Sequence, residues 1–121
     1  PPFVVLQHDA PTGLHWDFML QSQDVLKTWA LDCAPDDPAC ALARALPDHR
    51  LHYLDYEGEV SGGRGRVTRW DRGTYEILRQ TDDAWEVLLT GEKLVGQARL
   101  VRPPDAQASA DAWQFSWRGA T

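Results

Sequence analysis

From Leu14 to Leu20 the chain alternates with period two. Leu14, Trp16, Phe18 and Leu20 fall on one face, and His15, Asp17 and Met19 on the other. The first face is expected to enter a core and the second to carry whatever chemistry this strand has. Phe3 to Gln7 is a short apolar run, and Val25 to Leu31 is a further strand with Trp29 at its middle. Trp16 and Trp29 read as core. Pro11, Thr12 and Gly13 mark a turn between the first two strands.

Beyond Leu31 the pattern weakens. Asp36, Asp37 and Pro38 suit a turn or a helix start, and Ala39 to Leu46 suits either one short helix or an irregular strand. Leu51 to Tyr56 runs to Gly58, and Gly62, Gly63 and Gly65 interrupt the chain again. Arg66 to Trp70 and Thr74 to Arg79 are predicted as two strands flanking a turn at Asp71-Arg72-Gly73. Thr81-Asp82-Asp83 is a second turn, followed by strands at Trp85 to Leu89, Lys93 to Arg102 and Trp113 to Trp117. Pro103 to Asp111 is a polar loop. The pattern predicts one all-β domain spanning residues 1–121, a sandwich or a barrel, with no repeats and no linker.

Composition narrows the possibilities. Hydrophobic residues make up 43% and charged residues 25% of 121 positions, an ordinary globular balance. The net charge of −6 argues against strong non-specific binding to nucleic acid, so any such contact needs a local basic patch. Cys33 and Cys40 match no zinc motif and are expected to be free thiols. No apolar run reaches the ~18 residues of a membrane span, and there is no basic-then-apolar leader. A cytoplasmic, monomeric protein without membrane contact is expected.

All four histidines lie in two short segments. His8 ends the first strand, His15 sits in the second, and Asp17 shares its face. Two imidazoles and a carboxylate converging across neighbouring strands suit a divalent transition metal, and manganese, zinc and iron are all compatible with that donor set. The same pattern also suits a polar sheet face with a His–Asp hydrogen bond. The second segment carries Asp48-His49, then Tyr53 and Glu57-Gly58. His49 can protonate or hydrogen-bond a phosphate oxygen, and Tyr53 can donate to the same group. Arg64, Arg66, Arg69 and Arg72 form a basic stretch suited to phosphate contacts or to charge protection of a strand edge.

Taken in order, these segments resemble the 3′-phosphoesterase domain family of bacterial DNA ligase D. The resemblance rests on Phe3-Val-Val-Leu-Gln-His-Asp-Ala with Leu14-His-Trp-Asp-Phe, on Val25-Leu-Lys-Thr-Trp-Ala, and on Asp48-His49 with Tyr53 and Glu57-Gly58. It continues through Trp70-Asp-Arg-Gly-Thr-Tyr-Glu to Gly91-Glu-Lys-Leu-Val-Gly and Ala98-Arg-Leu-Val-Arg. It implies a β-barrel, which with the strand pattern gives a small closed or partly open barrel of about seven to eight strands with at most one short helix. It further implies a metal-dependent esterase, usually with manganese, that trims terminal ribonucleosides and 3′-phosphates from nucleic-acid 3′ ends in DNA repair, with a repair ligase or polymerase as partner. Residue by residue, His8, His15 and Asp17 would hold the metal, His49 would contact the scissile phosphate and Tyr53 would support it.

The departures concern charge. The family has one residue fewer between its two histidines. Met19 stands where the family places an arginine, Cys33 where Pro-Lys-Gly places a lysine, and Ala41 roughly where a further arginine falls; the glycine-rich loop is also shorter. Lys27, Arg44, Arg50 or the Arg64–Arg72 cluster would have to supply the missing charge, with Lys27, Arg64 and Arg66 as the substrate-binding candidates. Retained ligands with altered phosphate contacts also fit a non-catalytic module that binds metal or a nucleic-acid end, or a different metalloenzyme of the non-haem iron kind.

Overall fold

The computed structural model describes residues 1–104 and 110–120. Among these residues nine strands form one antiparallel sheet: β1 (Pro2–Ala10), β2 (Gly13–Ser22), β3 (Val25–Leu31), β4 (Leu42–Arg50), β5 (Gly58–Glu59), β6 (Arg66–Thr81), β7 (Ala84–Gly91), β8 (Val95–Val101) and β9 (Ala112–Gly119). Their order is β1-β2-β3-β4-β9-β8-β7-β6-β5, and β1 also pairs with β6. Eight strands therefore close into a ring, with β5 appended outside it. The seam between β4 and β9 is short, residues 42–44 against 112–114, which leaves the barrel partly open there. The all-β expectation holds.

The interior is filled from alternate positions of the strands of the ring. Phe3, Val5, Phe18, Leu20, Trp29, Val87 and Leu100 pack there with Trp85 and Trp113. Trp29 is 1% exposed and meets Trp85 and Trp113 edge-on at 5.9 and 5.6 Å between ring centres. Trp16 is half-buried against this core. Leu14, expected on the same face, is 46% exposed, because it lies at the hairpin end where the ring no longer covers it.

A second, smaller core lies on the outer face. Val4, Leu6, Met19, Leu26, Val60 and Val67 are covered by Leu51, Tyr53, Leu54 and Tyr56 from the segment between β4 and β5. This explains why β1 is an apolar run without alternation: both of its faces are covered. Leu51 to Tyr56 is not a strand. It contains a 3₁₀ turn, Leu51–Leu54, laid across this outer face. No α-helix forms among the described residues; residues 39–41 lead directly into β4, so the helix option for Ala39 to Leu46 is not realised.

The predicted hairpin at Asp71-Arg72-Gly73 is also corrected: these residues lie inside the sixteen-residue β6. The lower half of β6 pairs with β1 and the upper half with β7, so the strand turns a corner of the ring. Gly73 serves close approach, since a Cβ there would collide with the Thr90 carbonyl. Asp71, a turn former by composition, is buried and accepts N–H bonds from Glu92, Lys93 and Leu94 at 2.8–2.9 Å. It thus holds the β7–β8 turn from a neighbouring strand. The long strand expected at Lys93 to Arg102 is shortened to β8, Val95–Val101, by that same turn. The loop expected at Pro103 to Asp111 falls largely outside the described residues.

Candidate metal centre and phosphate groove

The β1–β2 hairpin pairs without a register break from Phe3↔Leu20 to Ala10↔Gly13, leaving Pro11 and Thr12 as the turn. The extra residue between the histidines is thus absorbed at the turn, and His8 and His15 sit directly opposite each other. Their rings are 4.5 Å apart. Asp17, two positions further along β2, points to the same outer face and reaches both.

The distances make a compact donor cluster. His8 Nδ1 is 3.1 Å from Asp17 Oδ2, and His15 Nε2 is 3.0 Å from Asp17 Oδ1. One donor atom from each residue lies within 4.8 Å of the others. Asp17 is 3% exposed, so its charge needs a partner. Yet Asp17 Oδ1 has no hydrogen bond: the His15 nitrogen is near, without hydrogen-bond alignment.

The other nitrogen of His8 explains more. Nε2 lies 2.7 Å from the Arg64 carbonyl oxygen, which can only accept, so Nε2 carries hydrogen. In the neutral imidazole, Nδ1 then presents a lone pair to the Asp17 carboxylate. Two electron-rich atoms face each other there unless a proton or a cation lies between them. A histidine that ligates a metal is commonly oriented in this way, its far nitrogen fixed by a carbonyl. The orphaned oxygen and the paired imidazoles fit a divalent cation.

The cluster sits at one side of a groove of about 470 Å³ on the outer face. His8, Asp17, Asp48, His49, Arg50, Tyr53 and Arg64 contribute polar walls, with Met19 and Leu6 among the apolar residues beneath. His49 enters the groove because of a bulge. Leu26 pairs with His49 but Thr28 pairs with Leu46, so Pro47 and Asp48 together oppose Lys27. Pro47 has no N–H to give the ladder, which favours an irregularity at this point. Pro47 also accepts a hydrogen bond from His49 Nδ1 at 2.8 Å, leaving Nε2 free. Tyr53, on the 3₁₀ turn, meets the His49 ring edge-on at 5.8 Å.

The basic residues separate. Arg64 lines the groove and is anchored by Ser61, whose carbonyl accepts from Nε at 2.7 Å and whose Oγ lies 3.2 Å from a terminal nitrogen. Arg66 lies instead along a neighbouring surface depression with Asp9 and Glu59. Lys27 stands outside the groove walls with Nζ 3.9 Å from Asp48 Oδ1. Arg72 faces Glu92 at 3.4 Å. The Arg69 backbone N–H donates to Glu57 Oε2 at 2.8 Å. Arg50, which had no distinguishing signal in the sequence beyond its charge, is the additional cation in the groove wall. Cys33 and Cys40 are free thiols. No helix among the described residues is long and apolar enough to cross a membrane.

A family model described as the DNA Ligase D 3′-phosphoesterase domain matches residues 6–102. A multifunctional non-homologous end joining protein LigD from Pseudomonas aeruginosa is 39% identical over 110 residues, covering 83% of this chain and 13% of that protein. The protein of that description from Mycobacterium bovis and a multifunctional non-homologous end joining DNA repair protein LigD from Mycobacterium tuberculosis are each 34% identical over 120 residues, covering 92% of this chain and 15% of theirs. The chain therefore spans about 13–15% of the length of these relatives. Matched along most of its length by that family model and by relatives at 34–39% identity, the chain belongs to the DNA Ligase D 3′-phosphoesterase domain family.

Proposed function

We propose that this domain is a metal-dependent phosphoesterase that processes nucleic-acid 3′ ends, removing a terminal ribonucleoside or 3′-phosphate in DNA repair. One observation carries the reading: the buried Asp17 carboxylate, with an oxygen lacking any hydrogen bond, faces two imidazoles beside a groove walled by Arg50 and Arg64. His8, His15 and Asp17 would hold the metal, with manganese favoured by the family and zinc or iron compatible with the ligands. When bound, the metal supplies Lewis-acid stabilisation of charge on a phosphoryl oxygen.

The chain's own residues divide the remaining work. Arg50 and Arg64 place positive charge where the phosphate would lie, on an otherwise acidic protein. They stand in for the cations replaced by Met19, Cys33 and Ala41. With Nδ1–H committed to Pro47, His49 exchanges protons through Nε2 alone. It accepts a proton there as the neutral ring and delivers one as the cation. Tyr53 supports that ring and offers a phenolic donor to the phosphate. Nucleic-acid 3′ ends are the proposed partner, with a repair ligase or polymerase acting on the same end.

The deciding experiment is hydrolysis of a primer ending in a 3′-phosphate or a single 3′-ribonucleotide, with and without manganese, beside His15→Ala. Turnover that needs both the metal and His15 supports the reading. Metal binding without turnover on either end counts against it and favours a binding module.

A further inference from the structure

The segment that carries His49 and Tyr53 continues into two more rings for which the phosphate chemistry has no use. Tyr53, in the groove wall, meets His52 edge-on with 4.3 Å between ring centres. His52 in turn lies nearly parallel to Tyr56, at 5.1 Å and 18°. Tyr56 is held in place: its hydroxyl donates to the Glu59 carbonyl, and its ring packs against the outer core. Tyr53 and Tyr56 are thus accounted for by packing. His52 is not. It is exposed, takes no part in the outer core, and has only ring contacts among the described side chains.

We infer that the His52–Tyr56 pair is a stacking ledge for the nucleobase attached to the phosphate held in the groove. The inference rests on the reading of that groove as a phosphate site. The ledge is in ring contact with Tyr53, which lines the groove together with Arg50, so a nucleoside leaving the groove past Tyr53 meets an aromatic surface. Stacking needs only a π-face, so it recognises a base without reading its identity. An acidic domain with few groove cations gains from such an uncharged contact, because it costs no further positive charge.

The test measures binding of labelled single-stranded oligonucleotides ending in a 3′-phosphate, with either a normal or an abasic terminal nucleoside, without added metal so that the end is held and not hydrolysed. Wild type is expected to prefer the base-bearing end by about tenfold. His52→Ala should abolish that preference, and His52→Phe should restore it, since only the ring is required. Equal affinity of wild type for the two ends, or an unchanged preference in His52→Ala, overturns the ledge. Failure of the two readings is distinguishable. Preference that persists without turnover counts against the esterase alone, whereas turnover with no base preference counts against the ledge alone.

Discussion

His8 and Arg64 are joined by a hydrogen bond of 2.7 Å from the imidazole Nε2 to the main-chain carbonyl, although 56 positions separate them. The contact ties the glycine-rich loop to the donor cluster and sets which nitrogen of His8 faces Asp17. It depends on the next residue. Gly65 has φ +93°, and a Cβ there would strike the Asp9 carbonyl. The loop can approach β1 this closely only with glycine at that position.

Gly65→Ala is therefore expected to weaken manganese binding by about 10- to 100-fold, the usual effect of losing a contact that orients a metal-binding histidine. Gly63→Ala is the control, because its φ of +69° is left-handed but nothing lies within 4 Å of the added carbon. Calorimetric titration of both variants decides the matter. Equal loss in both would mean that general loop strain, not the Arg64 carbonyl, sets the affinity.

Arg50→Ala should raise KM for a 3′-phosphate end by about tenfold at low salt while leaving metal affinity unchanged. Arg50 is exposed, so the effect should shrink as ionic strength rises. Arg50→Lys should recover most of the loss. A KM that does not respond to Arg50→Ala at any salt concentration would remove this residue from the phosphate site.

Asp71→Ala is expected to destabilise the domain by about 3 kcal/mol, since three N–H donors lose one charged acceptor and the Leu94 N–H is buried. Asp71→Asn should cost less, because it keeps an acceptor oxygen. Urea unfolding without metal gives the values, and indistinguishable midpoints for Ala and wild type would show that water serves the turn equally well.

Asp71 also shows where reading the sequence stops. Period two placed His15, Asp17 and Met19 on one face, and the turn at Pro11 and Thr12 brought His8 opposite, so the donor cluster was legible from local pattern. Asp71-Arg72-Gly73 has good turn composition, but its carboxylate serves a turn 21 to 23 residues away and its glycine admits a neighbouring strand. Both are long-range demands that local propensity does not encode. The bulge at Pro47 and Asp48 is similar. Without it, the direction of His49 and Arg50 could not be read from alternation. The outer core beneath Tyr53 and Tyr56 was hidden because the covering segment is irregular.

Cys40 offers a test of packing near the open seam. Burial, reinforced by the neighbouring Cys33, pushes its thiol from 9.0 up to about 12, and its Sγ–H donates to the Cys33 carbonyl at 3.4 Å. The folded state thus holds the proton more tightly than the unfolded chain. This contribution is complete below pH 9.0 and is lost progressively as pH rises through about 12. Burial raises the Tyr75 phenol too, so that group adds alkaline sensitivity in the same direction. Cys40→Ala should therefore remove part of the decline, not all of it. Urea midpoints at about pH 8 and about pH 10.5 are expected to fall less in Cys40→Ala than in wild type. Parallel falls would mean that Cys40 is not tightly buried in solution. In that case Cys40 should also be alkylated as readily as the half-buried Cys33, whereas the packed thiol should react far more slowly.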